Sequence, residues 1–138
     1  MNKNKRGFTL VELLVVISII AILATLLMAN FIGVRQRGRD GQRKSNLFQV
    51  QSALELYRSD AGNYPDTASF PACGSAITAN GTIYMTKVPC DPLGGDYTYT
   101  SADGSTYTIY ACLENPEDNQ RDTSPSGSCT TSFTLNNP

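Results

Sequence analysis

A single carboxylate, Glu12, lies at the start of the longest apolar stretch in this chain of 138 residues. Residues 13–34 after it carry no charged side chain. A helix of that length reaches roughly 33 Å at about 1.5 Å per residue, enough to cross a bilayer core of about 30 Å. A charge in such a helix is costly to place in lipid and is usually functional. We therefore expect Glu12 to form an ion pair with an amine.

The spacing of Gly7, Phe8 and Glu12 indicates where that amine comes from. The apolar stretch itself supplies no Lys or Arg. A cut after Gly7 would give Phe8 a free α-amine four residues before Glu12, and therefore on the same side of a helix. The amine of a neighbouring copy is the alternative partner, and it would fix the register in which two helices pack.

This segment resembles the class III signal of type IV pilins and of the pseudopilins of type II secretion. In that signal a short basic leader ends in Gly and is followed by Phe-Thr-Leu-x-Glu and an apolar helix; the matching residues here are Lys5-Arg6-Gly7-Phe8-Thr9-Leu10-Val11-Glu12. The resemblance implies that a prepilin peptidase cuts after Gly7 and methylates the new amino terminus of Phe8. It also implies that Glu12 accepts a neighbour's amino terminus during assembly.

A secretory signal peptide is the competing interpretation, because Lys3, Lys5 and Arg6 form a basic segment before the apolar stretch. The stretch is longer than the apolar region of a signal peptide, and no good small-x-small cleavage site follows it. We expect a membrane helix instead.

The orientation of this helix rests on conflicting signals. Five basic residues follow the apolar stretch and three precede it, so a count of Lys and Arg alone favours a cytoplasmic C-terminal side. Two observations favour the opposite orientation, with the N-terminus inside. The resemblance implies a cytoplasmic leader, and four cysteines are typical of an oxidising compartment. We adopt this orientation. The basic cluster would then lie outside, against lipid headgroups, carboxylates of other subunits or water; its members are Arg35, Arg37, Arg39, Arg43 and Lys44.

The helix is expected to continue beyond the membrane to about residue 60. Four apolar side chains at helical spacing form one stripe, which predicts packing against a core; they are Leu47, Val50, Leu54 and Tyr57. Gly62 is the expected C-cap. Gly33, Gly38 and Gly41 each weaken a helix by about 1 kcal/mol relative to Ala, so we expect a bend or local melting between the two halves.

Residues 61–138 are rich in turn-forming residues and predict short strands. Two runs of Tyr and Thr, residues 97–100 and 106–110, flank Ala102-Asp103-Gly104-Ser105, and Asp-Gly is a strong hairpin signal. A third strand is expected between residues 130 and 135. The sequence predicts an α+β, pilin-like fold in which a long N-terminal helix packs against a small antiparallel sheet. The expected parts are a leader (1–7), a transmembrane and assembly helix (8–34), an amphipathic helix (35–60) and a globular domain (61–138).

Four cysteines allow three disulfide pairings. Local closure is the simplest arrangement, since each consecutive pair is 17 residues apart. We therefore expect Cys73 to pair with Cys90 and Cys112 with Cys129, each bond stabilising the domain by roughly 3 kcal/mol. A zinc site built from all four thiolates is disfavoured, because the sequence contains no Cys-x-x-Cys spacing.

A second resemblance concerns residues 88–99, VPCDPLGGDYTY, which are similar to the Pro-x-Asp-Pro-x-Gly…Tyr-x-Tyr segment of G-type major pseudopilins. It implies calcium bound after the hairpin, where the loop between the last two cysteines is acidic. Glu114, Asp118 and Asp122 are the candidate ligands. The family's ligand pattern does not map cleanly onto this loop, so an exposed acidic loop without metal is the favoured alternative, and no cofactor is required.

The composition argues against an enzyme. The chain has no His, so imidazole catalysis and His-ligated metals are excluded, and it has no Gly-rich phosphate loop. We expect no nucleic acid partner either. Only Lys87 and Arg121 are basic after Arg58, and the carboxylates that outnumber them repel phosphate.

The resemblance implies a structural subunit that polymerises through its N-terminal helix into a helical homo-oligomer. The first hypothesis is a type IV pilin, assembled by an ATPase and an inner-membrane platform into a surface filament for adhesion, motility or uptake. The alternative is the major pseudopilin of a type II secretion system, which forms a periplasmic filament for protein secretion. The weakest hypothesis is that the chain is a minor pilin that binds DNA or a surface. Each hypothesis places the subunit in the inner membrane before assembly.

Overall fold

The computed structural model describes residues 7–138, except for the side chains of residues 29 and 30. These residues form α1 (Leu10–Ala61), β1 (Ile77–Ala79), β2 (Thr82–Met85), β3 (Thr98–Thr100), β4 (Thr108–Cys112) and β5 (Ser132–Asn136). The chain divides into two units, Met1–Arg35 and Gln36–Pro138. Of the expected leader, residues 1–6 lie outside the described residues.

The 52 residues of α1 are α-helical throughout, including the segment that contains Gly33, Gly38 and Gly41. The expected local melting therefore does not occur in the isolated subunit, since an unbroken hydrogen-bond ladder outweighs a cost of about 1 kcal/mol per glycine. The helix ends as predicted at Gly62, whose φ of 83° is left-handed. The Gly62 amide donates to the carbonyl of Arg58 at 2.8 Å, which satisfies one of the last helical carbonyls.

The unit Gln36–Pro138 is built on the predicted stripe of α1. Leu47, Val50 and Leu54 are fully buried, and Tyr57 packs against the same core. Each buried aliphatic side chain contributes roughly 1.5–3 kcal/mol through the apolar surface removed from water. The strands and loops complete the core with aromatic and aliphatic side chains, among them Tyr64, Ile77, Tyr99, Tyr107, Ile109 and Phe133.

A three-stranded antiparallel sheet in the order β3-β4-β5 covers this stripe. Tyr99 of β3 lies opposite Ile109 of β4, which lies opposite Leu135 of β5. The alternation of buried and exposed residues along β3 and β4 gives the sheet one core face and one outer face. The predicted hairpin, the third strand and the α+β fold are thereby confirmed.

A second sheet, formed by β1 and β2 alone, is absent from the sequence-based prediction. Its turn is Asn80-Gly81, and both residues have positive φ, 50° and 81°. This geometry is the tight hairpin turn for which Asn-Gly is the strongest short-range signal. The signal was present in the sequence, although its short flanking strands carry few of the alternating apolar residues that identify a hairpin.

Candidate functional site

The residues predicted for processing and assembly lie at the N-terminal end of α1. Gly7, Phe8 and Thr9 precede the helix, and the Phe8 side chain is 81% exposed. Among the described residues, and apart from the chain neighbours of Gly7, no atom lies within 4 Å of the position that a Cβ on Gly7 would occupy. The peptide bond between Gly7 and Phe8 is thus on an open, non-helical segment.

Glu12 and Thr9 form a reciprocal cap at the start of this helix. The Glu12 carboxylate oxygen Oε2 accepts hydrogen bonds from the Thr9 amide and the Thr9 hydroxyl, both at 2.8 Å. The Glu12 amide donates to Thr9 Oγ1 at 3.2 Å. This is the capping box, in which two otherwise unpaired helix amides are satisfied by side chains.

The role of Thr9 was missed by the sequence analysis, which assigned Glu12 no partner in the uncut chain. The signal was a Ser or Thr followed three residues later by an acid before an apolar run. Thr9 supplies hydrogen bonds but no charge, and none of the described residues forms an ion pair with Glu12. In the single subunit, Glu12 therefore still lacks the positively charged partner that was predicted for it.

The apolar part of α1 that follows Glu12 is exposed on all sides in the isolated subunit. Its described large side chains keep between 45% of their surface, at Val16, and 73%, at Leu27 and Met28, accessible. By length and composition this helix is able to cross a membrane. Apolar surface on every side of a helix is stable only when lipid or other helices cover it.

A second set of charged side chains joins α1 to the two loops near the disulfides, all within Gln36–Pro138. We call this set the charge network; its members are Arg39, Asp40, Arg43, Lys44, Asp91, Glu114 and Asp118. Three of the five residues in the basic cluster thus pair with carboxylates of their own subunit. None of these three pairs was predicted, because only lipid headgroups, other subunits and water were considered as surroundings of the basic cluster.

Asp40 is the buried centre of the charge network, with none of its surface exposed. Its carboxylate accepts the amides of Glu114 and Asn115, the latter at 2.8 Å, and the Nη1 group of Arg43 at 2.8 Å. A buried carboxylate is tolerated when its oxygens are satisfied in this way. Asp40 therefore fixes the position of the acidic loop on α1.

Arg43 bridges both loops. Its guanidinium donates to Asp91 at 2.5 and 3.0 Å and to Glu114 at 2.7 Å. Burial has the largest single effect on the pKa of Asp91 and raises it, but the hydrogen bonds from Arg43 and from the Leu93 amide, together with the positive charge of Arg43, lower it by more, so the net shift is downward. Hydrogen bonds from Arg39, opposed by partial burial and reinforced by Arg43, lower the pKa of Glu114 from 4.5 to about 2.

The structure does not bring the three candidate calcium ligands together. Glu114 pairs with Arg39 and Arg43, and Asp118 pairs with Lys44. Asp122 turns instead to β5, where it accepts hydrogen bonds from Ser132 and Thr134. Within residues 7–138, no group of three or more acidic, Cys or His side chains is arranged to hold a metal ion. The loop residues therefore do not fit the calcium site implied by the resemblance.

The two disulfides join the pairs that the sequence analysis expected. Cys73 is bonded to Cys90 and Cys112 to Cys129. The first bond lies directly before Asp91, and the second closes the loop that carries Glu114 and Asp118. Both covalent links thus restrain the loop segments that the charge network fastens to α1.

Comparison with known families matches both parts of the chain. The prokaryotic N-terminal methylation motif matches residues 2–28, which include Gly7, Phe8 and Glu12. The family of type II secretion system protein G matches residues 30–127, which include the charge network and four of the five strands.

The curated relatives agree with this assignment. The type II secretion system core protein G of Klebsiella michiganensis is 34% identical over 110 residues, covering 72% of this chain and 76% of the relative. Its counterpart in Escherichia coli is 32% identical over 104 residues, covering 68% and 70%. The type IV major pilin protein PilA of Myxococcus xanthus is 38% identical over 68 residues, covering 49% of this chain and 31% of the pilin. The chain belongs to the type II secretion system protein G family.

Proposed function

We propose that this chain is the major pseudopilin of a type II secretion system and polymerises through its N-terminal helix into a periplasmic filament. The observation that carries the proposal is the protein G match over residues 30–127. The sequence analysis had placed the surface pilus first and the pseudopilus second. The relatives support the opposite order, because the protein G relatives cover about 70% of this chain whereas the pilin covers 49%.

The site at the start of α1 supports a polymerisation role after processing. A prepilin peptidase would cut after Gly7, which lies on an open segment, and would methylate the amine of Phe8. The amine of a neighbouring subunit would then compete with Thr9 for Oε2 of Glu12. It would bring the positive charge that Thr9 lacks, so Glu12 would pair only when the two helices lie in the correct register.

We further propose that the subunit waits in the inner membrane with its N-terminus inside, and that an assembly platform and its ATPase extract it. The exposed apolar surface of α1 supports a lipid environment at this stage. Folding of Gln36–Pro138 pairs three of the five basic residues that follow the apolar stretch. No part of this role requires catalysis by the chain itself.

The proposal is tested by deleting the chain from its native cell and restoring it on a plasmid, with Glu12→Ala as the inactive variant. We expect deletion to remove a set of proteins from the culture medium, measured by quantitative mass spectrometry. Secretion should return with the wild type but not with the variant. Unchanged secretion together with loss of surface filaments would contradict the proposal and establish the pilus.

The pilus remains the second candidate because of the 38% identity with the Myxococcus pilin over 68 residues. Intact-mass measurement of filaments sheared from the cell surface separates the two. Residues 8–138 in that fraction, with one methyl added and four hydrogens lost, would identify a surface pilin. Their presence only in membrane and periplasm would identify the pseudopilin.

Processing is tested separately with Gly7→Ala. We expect this variant to accumulate in the membrane with residues 1–7 still attached, because the peptidase recognises the glycine before the cut. The matched control is Gly38→Ala, which makes the same change inside α1 and should be processed normally. Intact mass of the membrane fraction reads both results, and normal processing of Gly7→Ala would exclude the class III assignment.

A further inference from the structure

We propose that the ammonium group of Lys44 is a built-in cation of the loop at residues 113–122 and takes the place that a bound calcium ion would hold. The domain is therefore as stable without calcium as with it. The inference concerns the folded subunit before assembly, so it applies to a pseudopilin and a pilin alike.

The oxygens of the loop converge on Lys44. Its Nζ lies 2.8 and 3.1 Å from the two carboxylate oxygens of Asp118 and 3.0 Å from the side-chain oxygen of Gln120. The ammonium has three N–H donors and meets three oxygens. The Gln120 amide donates a hydrogen bond to the Asp118 carboxylate at 2.8 Å, which holds the two residues in one turn. Asp118 and Lys44 keep 12% and 16% of their side-chain surface exposed.

Glu114, a second carboxylate of the loop, is paired with fixed cations as well. Both oxygens of Glu114 accept hydrogen bonds from Arg39, at 2.7 and 2.5 Å, and one also accepts from Arg43. Calcium requires six to eight oxygen ligands, usually with several carboxylates. A calcium ion at Asp118 would have to displace Lys44 and then lie close to its positive charge. The carboxylates of Glu114 and Asp118 are thus paired with fixed cations before any metal arrives, whereas Asp122 accepts hydrogen bonds from Thr134 and Glu117 is exposed.

The cations are held in place by the fold. Arg39, Arg43 and Lys44 lie on one continuous helix, α1, and Asp40 on the same helix anchors the loop backbone through two amides. The disulfide between Cys112 and Cys129 closes the same loop. Because these links are covalent or tethered, their contribution to stability does not depend on a free ligand concentration, as that of a bound metal does.

The test uses the full-length processed protein in detergent micelles, with calcium chloride or the chelator EGTA as the probe. Thermal unfolding is followed by near-ultraviolet circular dichroism, and calorimetric titration measures binding. We expect the two Tm values to agree within about 1 °C and calcium to give no saturable heat. A metal at about 100 times its Kd would raise Tm by roughly 10 °C. Such a rise, or one calcium bound per chain, would overturn the proposal.

Variants of Lys44 test the built-in cation directly. In EGTA we expect Lys44→Met to lower Tm by about 2–6 °C. Lys44→Arg keeps the charge and should recover most of this loss. The matched control is Arg37→Met on the exposed part of the same helix, which should shift Tm by less than about 1 °C. If Lys44→Met melts at the same temperature as Arg37→Met, Lys44 does not hold the loop and the proposal fails.

A local readout separates loop opening from general instability. Arg121 is exposed within the loop and offers trypsin a cleavage site. We expect Lys44→Met to be cut after Arg121 several-fold faster than the wild type at a temperature where both are folded, with the fragments identified by mass. Equal cleavage rates would overturn the proposal. The secretion assay is independent of these measurements, so failure of the inference is distinguishable from failure of the proposed function.

Discussion

The two parts of α1 differ in the exposure of their apolar side chains and in the pairing of their charges. In the first unit the described apolar side chains stay exposed, and the single carboxylate is capped by Thr9 without a counter-ion. In Gln36–Pro138 the stripe residues Leu47, Val50 and Leu54 are fully buried, and Asp40 and Arg43 are buried as a bonded pair. The first part of α1 thus exposes its apolar side chains, and the second part packs its apolar side chains into the core of a folded domain.

This difference separates assembly from stability. The second unit buries its own apolar core and pairs the charges of the charge network within the chain, so we expect it to fold without a partner. The first unit leaves its apolar surface and Glu12 for lipid or other subunits to satisfy. Substitutions in the first unit should therefore impair polymerisation with little effect on unfolding, and substitutions in the second should do the reverse.

The largest effect is expected from Glu12→Ala. Without the carboxylate a neighbour's amine has no acceptor, so crosslinked oligomers and secreted protein should fall at least about tenfold. The Tm of Gln36–Pro138 should be unchanged. Glu12→Gln separates the two roles of this residue, because it keeps the cap with Thr9 and removes the charge. Wild-type polymer from Glu12→Ala would refute the registry role.

Asp40→Ala should show the opposite pattern, with a loss of stability of about 3 kcal/mol. The substitution leaves Arg43 with one partner fewer and two loop amides without their acceptor. Circular dichroism should record a fall in Tm of roughly 10 °C. Glu117→Ala removes an exposed carboxylate from the same loop and serves as the control. Equal Tm values for the two variants would show that the charge network does not stabilise the domain.

Acid should weaken the second unit by protonating Glu114. The folded-state pKa of Glu114 is lowered from 4.5 to about 2, chiefly by hydrogen bonds from Arg39. A lowered carboxyl pKa gives stability that is complete above the unfolded value and is lost as pH falls through the folded value. Tm should therefore decline between about pH 4.5 and 2, and Glu114→Gln should flatten that decline. A pH profile identical to the wild type in Glu114→Gln would contradict the assignment.

The smallest change in stability is expected from Gly41→Ala, which lies in the second unit. A Cβ there meets no atom within 4 Å, so the substitution should raise the free energy of unfolding by about 1 kcal/mol. Applied together at Gly33, Gly38 and Gly41, the change should also lower filament yield if assembly melts this part of α1. Wild-type yield from the triple variant would show that the helix polymerises intact.

The features that depend on residues close together in the chain could be predicted from the sequence alone. Gly7, Phe8 and Glu12 occur at a fixed spacing, the apolar stretch has the length of a membrane span, and Leu47, Val50 and Leu54 repeat with the helical period. The hairpin at Asp103-Gly104 and the C-cap at Gly62 follow from backbone conformations that Gly adopts at low cost. The cap at Thr9 and the hairpin at Asn80-Gly81 were equally local, and neither was predicted although both patterns were present.

The pairing of the charges could not be predicted from the sequence, because it depends on tertiary contacts. Arg43 meets Asp91 across 48 residues, and Lys44 meets Asp118 across 74. No periodicity in the chain encodes such pairs, because they depend on which face of α1 the sheet covers and on where the two disulfides bring the loops. The same basic and acidic residues, considered separately, had suggested contacts with other subunits and a calcium site. The fold joins them instead, because fixed opposite charges neutralise each other when burial brings them within hydrogen-bond distance.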